Sequence, residues 1–109
     1  MYTINGKTIT LTRGDTLQAA VSIKTAAGQT YTPQEGDVIR FAMAQNYYAS
    51  RPILTKTVPN DTLMLTLEPN DTKTLPFGNY VWDMQITYAN GAVDTFIDRG
   101  TLTLTEEVD

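Results

Sequence analysis

From Tyr80 to Tyr88 the chain alternates with a period of two. Tyr80, Trp82, Met84, Ile86 and Tyr88 are large and apolar, and most residues between them are polar. That spacing puts one set of side chains on one face of a strand and leaves the other face to water or a neighbour. A helix would scatter the same residues round its circumference. Asn90-Gly91 follows, and Asn-Gly is a strong hairpin signal because a two-residue type I′ turn needs positive φ at both positions. That turn would set Tyr88 opposite Val93, Ile86 opposite Thr95 and Met84 opposite Ile97. Both strands then carry their apolar residues on one side, and the pattern predicts a core hairpin.

The same alternation recurs along the chain. Tyr2–Ile4 and Lys7–Leu11 flank Asn5-Gly6, which predicts a second tight hairpin with Tyr2 opposite Ile9. Leu17, Ala19, Val21 and Ile23 mark another strand, and so do Ile39, Phe41 and Met43. Ile53–Val58 reads as an edge strand, and Leu63, Leu65 and Leu67 as an inner one. Asp71 or Asn70 is expected to cap a single helical turn near Pro69. Turn signals fall about every 8–12 residues. The pattern predicts an all-β, immunoglobulin-like antiparallel β-sandwich of about eight strands, one domain over residues 1–109. Tyr80, at the start of the penultimate core strand, fits a tyrosine corner whose hydroxyl bonds upstream backbone.

The chain has neither cysteine nor histidine. Disulfides and thiolate chemistry are excluded, and the commonest general base and metal ligand is missing. No cofactor or metal is expected. Eight basic against 12 acidic residues leave a net charge of −4, and no stretch is basic enough to follow a phosphate backbone, so no nucleic-acid partner is expected. No apolar run approaches the roughly 20 residues a membrane helix needs, and no signal peptide is seen, so no membrane insertion is expected.

Two surfaces carry candidate recognition residues. The loop from Gln45 to Pro52 holds Asn46, Tyr47, Tyr48 and Arg51, the rigid rings and adaptable polar groups that binding loops favour. Val81 and Phe96 are expected on the outer face of the central sheet with Ala42 and Ala44, an apolar patch suited to a partner. Asp83 and Asp98 are expected opposite one another, with Arg40 offsetting the repulsion. A bound cation at Asp83, Asp94 and Asp98 is the rival reading, without calcium-loop spacing behind it. The Asp83–Asp98 pair could serve a two-carboxylate hydrolase, but nothing in the sequence suggests a pocket, an oxyanion hole or a raised pKa, so no enzyme is expected. Arg13-Gly14-Asp15 reads as a turn rather than a recognition tripeptide.

Laid end to end, these turn and core motifs carry a resemblance. They are Gly14-Asp15-Thr16, Gly28 with Tyr31, Gly36-Asp37 before Phe41, and Leu65 and Leu67 before Pro69. Asp71-Thr72, Leu75, Gly78, Tyr80 and Trp82-Asp83 follow, then Asn90-Gly91, Val93, Thr95, Gly100 and Leu102. Their order resembles the small β-sandwich domains of tailed-phage and prophage structural proteins, including the N-terminal domain of upper baseplate proteins from phages of Gram-positive bacteria. The resemblance implies a non-catalytic virion protein of the tail, baseplate or head–tail junction. It would sit in the virion, or in the bacterial cytoplasm during assembly. Its partners would be other structural proteins or itself as a homo-oligomer. The alternative is a binding module that recognises a carbohydrate or cell-surface protein through the 45–52 loop.

Overall fold

The computed structural model describes residues 2–24, 27–49 and 51–106. Among the described residues eight strands run in chain order: β1 (Tyr2–Asn5), β2 (Thr8–Thr12), β3 (Leu17–Ala20), β4 (Val38–Ala44), β5 (Leu54–Val58), β6 (Met64–Leu67), β7 (Gly78–Thr87) and β8 (Val93–Thr105). One helical turn, α1 (Pro69–Thr72), lies between β6 and β7. No helix among the described residues is long and apolar enough to cross a membrane. Six strands form one sheet in the order β1-β2-β8-β7-β4-β5, and β3 pairs with β6 in the other. The fold is therefore an all-β sandwich with the expected immunoglobulin-like arrangement. It departs from the expectation in one pairing: β2 runs parallel to β8, with Ile9 beside Leu102 and Leu11 beside Leu104.

The alternation read from the sequence is the alternation observed. Tyr80, Trp82, Met84 and Ile86 of β7 are buried, as are Ile39, Phe41 and Met43 of β4. Across the sandwich they meet Leu17 of β3 and Leu65 and Leu67 of β6. Phe41 and Trp82 pack with ring centroids 5.6 Å apart, a contact worth about 0.5–1.5 kcal/mol beyond its area. The Tyr80 hydroxyl donates to the Pro76 carbonyl at 2.6 Å, so the tyrosine corner is present.

The register of the central hairpin differs from the expected one, and the reason is its turn. The loop has three residues, Ala89-Asn90-Gly91, not two. The Gly91 N–H donates to the Tyr88 carbonyl at 2.8 Å, and the Tyr88 N–H donates to the Ala92 carbonyl at 2.8 Å. Gly91 takes φ 92°, the left-handed conformation that closes a type I turn with a bulge. Thr87 therefore faces Val93, and Ile86 faces Asp94. An extra residue on β8 then restores the register, because Gln85 faces Thr95 while Met84 faces Ile97, as expected.

Phe96 is that extra residue. The expectation that it stands opposite Gln85 on the outer face is corrected: Phe96 and Ile97 both pack against the core. A second irregularity sets Asp98 and Arg99 against Asp83, and Arg99 takes φ 55°. The first hairpin is also corrected. Tyr2 faces Leu11 and Ile4 faces Ile9, so the loop is Gly6-Lys7. This two-residue slip keeps Tyr2 and Ile4 on the same face as Ile9 and Leu11.

Smaller features settle around this frame. Glu68 precedes α1 as its N-cap, and its N–H donates to the Asp71 carboxylate at 2.7 Å, so Asp71 reaches back instead of capping directly. Arg13-Gly14-Asp15 is a tethered turn. Arg13 donates to the Leu75 carbonyl at 3.1 Å and lies 4.0 Å from the centre of the Phe77 ring, while the Gly14 N–H donates to Thr72.

Candidate functional site

Three of the four outward rows on β4 and β7 lie toward the loop: Ala44 with Val81, Ala42 with Asp83, and Arg40 with Gln85, with Val38 and Thr87 beyond them. The rows run from apolar, beside the 45–52 loop, to charged at the far end. Alanine at two of these positions leaves the floor low. The loop rises beside it, and the result is an open cleft of about 240 Å³. Its wall carries Asn46, Tyr47 and Arg51, and its far end carries Arg40, Asp83 and Gln85.

The loop is shaped by its own backbone bonds. The Asn46 side-chain oxygen accepts from the Tyr48 N–H at 2.9 Å, and the Asn46 carbonyl accepts from the Ala49 N–H at 3.2 Å. Asparagine does this readily because its short side chain mimics a backbone turn. Tyr47 leans against β8, with its hydroxyl 3.5 Å from the Gly100 carbonyl and the Arg99 guanidinium 5.3 Å from its ring centre. Arg99 therefore steadies the ring that walls the cleft.

The charges sort themselves by strand. Burial is the main influence on the Asp83 carboxyl and holds it above its ordinary range; Arg40 pulls it down, and Asp98 adds to the rise. Asp98 is engaged by Lys7, whose ammonium lies 3.6 Å from the carboxylate and donates to the Asp98 carbonyl at 2.9 Å. The expected offset of Asp83 by Arg40 is thus electrostatic, and Lys7 is the ion-pair partner that sequence reasoning missed. It is brought in by the parallel β2–β8 pairing. Among the described residues no group of three side chains suited to holding a metal ion comes together, at Asp83, Asp94 and Asp98 or elsewhere.

Two surfaces that the sequence kept apart are one. Asn46, Tyr47 and Arg51 of the loop and Val81 of the sheet share the cleft. Tyr48 stands clear of it, 95% exposed at the loop tip, and Phe96 is turned toward the core. The contribution of Arg99 had no local signal, since its place over Tyr47 depends on the bulge in β8. Comparison with protein-family models, with curated proteins and with solved structures finds no match for this chain.

Proposed function

We propose that this protein is a non-catalytic assembly module, a structural part of a tailed-phage or prophage virion at the tail, baseplate or head–tail junction. Its partners are other structural proteins or further copies of itself. It acts in the virion, or in the bacterial cytoplasm while the virion is built. The observation that supports this most is the cleft, which joins a tyrosine-bearing loop to an apolar strip of sheet. Mixed surfaces of this kind, an apolar centre rimmed by arginine and tyrosine, are where protein interfaces concentrate their binding energy.

Light scattering across a wide concentration range, coupled to size exclusion, tests the reading. Assembly predicts a discrete closed oligomer, or a monomer that forms one when its structural partner is added, and Val81→Asp removes it. Tyr47 sharing the cleft with the amides of Asn46 and Gln85 favours the second reading, a binding module for a carbohydrate or cell-surface protein. A strict monomer that binds glycans saturably through Tyr47, unchanged in mass, would replace the first reading with the second.

A further inference from the structure

Arginine is concentrated at this cleft. Arg40 and Arg51 line it, Arg99 lies over the outer wall at Tyr47, and only Arg13 stands elsewhere, tied to Leu75 and Phe77. Two guanidiniums against the single carboxylate of Asp83 make the lining net positive, in a protein whose formal charge is −4. Among the described residues Arg51 makes no hydrogen bond or ion pair, whereas Lys7 and Lys56 both pair with aspartates. An unpaired guanidinium in the wall of an open cleft is a fork of donors suited to a planar anion.

We propose that the cleft binds an acidic peptide segment of a partner protein, with a glutamate side chain lying along the floor and its carboxylate held by Arg51. This rests on the assembly reading of the same cleft and names the chemistry of its partner. The methylenes of a glutamate cover Ala44 and Val81, which a free phosphate would leave bare. The amides of Asn46 and Gln85 match the N–H and C=O groups of the peptide's backbone. Asp83, at the far end, accepts a backbone N–H and repels a second anion, so the cleft prefers one negative charge to a phosphate carrying nearly two. The net charge of −4 disfavours an acidic segment over the surface as a whole, so the positive lining directs it to this cleft.

The test is fluorescence anisotropy with a labelled tetraglutamate peptide, at an ionic strength of about 0.01 M and again at about 0.15 M. The expected result is a saturable rise that weakens with salt. Arg51→Glu weakens it by at least about tenfold, and Arg51→Lys weakens it less but measurably, since an ammonium lacks the fork. Lys73→Glu, an exposed change outside the cleft, leaves it unaltered. Inorganic phosphate and glucuronate serve as competitors. No saturable binding, equal binding by Arg51→Glu, or displacement by phosphate or glucuronate as efficient as by unlabelled peptide would each overturn the proposal. Light scattering on the same samples separates the two readings. Peptide binding by a protein that never assembles keeps this inference and sinks the assembly role. Assembly of full strength in Arg51→Glu without peptide binding does the reverse.

Discussion

Gly100 lies beneath the indole of Trp82, its cross-strand partner, so closely that a methyl group added there would stand 2.2 Å from the ring. The indole N–H donates to the neighbouring Thr101 carbonyl at 3.2 Å, which fixes the ring over the glycine. An aromatic ring laid across a strand glycine covers backbone that would otherwise be bare. Gly100→Ala must displace the Trp82 ring and so disturb its packing on Phe41. We expect a loss of about 1–3 kcal/mol, the cost of overpacking a filled core, with a changed tryptophan emission spectrum. Denaturant unfolding followed by fluorescence reads both.

Tyr80→Phe tests the corner. The phenol buries its ring in the core and gives its proton to the Pro76 carbonyl. Removing only the oxygen keeps the packing and deletes one hydrogen bond, so the loss should be about 0.5–1.5 kcal/mol. An unchanged midpoint in urea would mean that the bond is replaced by water without cost.

Asp37 ties three segments together. Its carboxylate accepts from the Gln34 N–H at 2.8 Å, the Tyr31 hydroxyl at 2.6 Å and the Ala89 N–H at 3.0 Å in the hairpin loop. The Gln34 bond, the Tyr31 hydroxyl and the Ala89 bond hold its pKa below the ordinary 3.8, against the opposing effect of burial. A carboxyl with a depressed folded pKa stabilises the protein above its unfolded value, and that contribution is lost as pH falls through the folded value. Acid unfolding therefore begins below about pH 4, and Tyr31→Phe should move its midpoint to higher pH. The same bond to Asp37, with burial behind it, raises Tyr31 to about 12 from 10.0. Its contribution is full below pH 10 and disappears as pH rises through 12. Phenolate absorbance during an alkaline titration should show Tyr31 and, through burial, Tyr80 titrating late, and Asp37→Asn should bring Tyr31 forward while leaving Tyr80 in place.

Asp83 has the opposite sign. Burial raises its carboxyl above 3.8 in spite of Arg40, and Asp98 adds to the shift. Such a group favours the fold when protonated; the contribution is full below the unfolded value of 3.8 and is lost as pH rises through the raised one. Asp83→Asn should therefore stabilise the protein at neutral pH, by roughly 0.5 kcal/mol given the exposure of the cleft. That advantage should shrink to nothing as the pH falls below the unfolded value. Thermal melts of both proteins across that range would show it. A gain that persists undiminished in acid would assign the effect to something other than charge.

Much of this protein is written in its alternation. A strand buried on one face must repeat with period two, so the residues of β7, β4 and β6 that form the core could be named from spacing alone, and so could the tyrosine corner that follows from their order. Register resisted, because a turn's length is decided by competition. Asn90-Gly91 suits a two-residue loop, but Ala89-Asn90-Gly91 closes one hydrogen bond further back, and the free-energy difference between such turns is smaller than that of packing the strands they join. The bulge at Phe96 then reverses the shift, and it sends to the core an aromatic ring that simple counting puts outside. The cleft depended on still longer range. The strip of Ala42, Ala44 and Val81 was legible, but that the loop bearing Tyr47 and Arg51 rises beside it to make one cleft was not. Lys7 reaches Asp98 only because β2 lies parallel to β8. Local periodicity determines which side chains turn inward, since burial acts residue by residue. Which surfaces become neighbours is decided only when the sheets close, since that choice minimises the energy of the whole core at once.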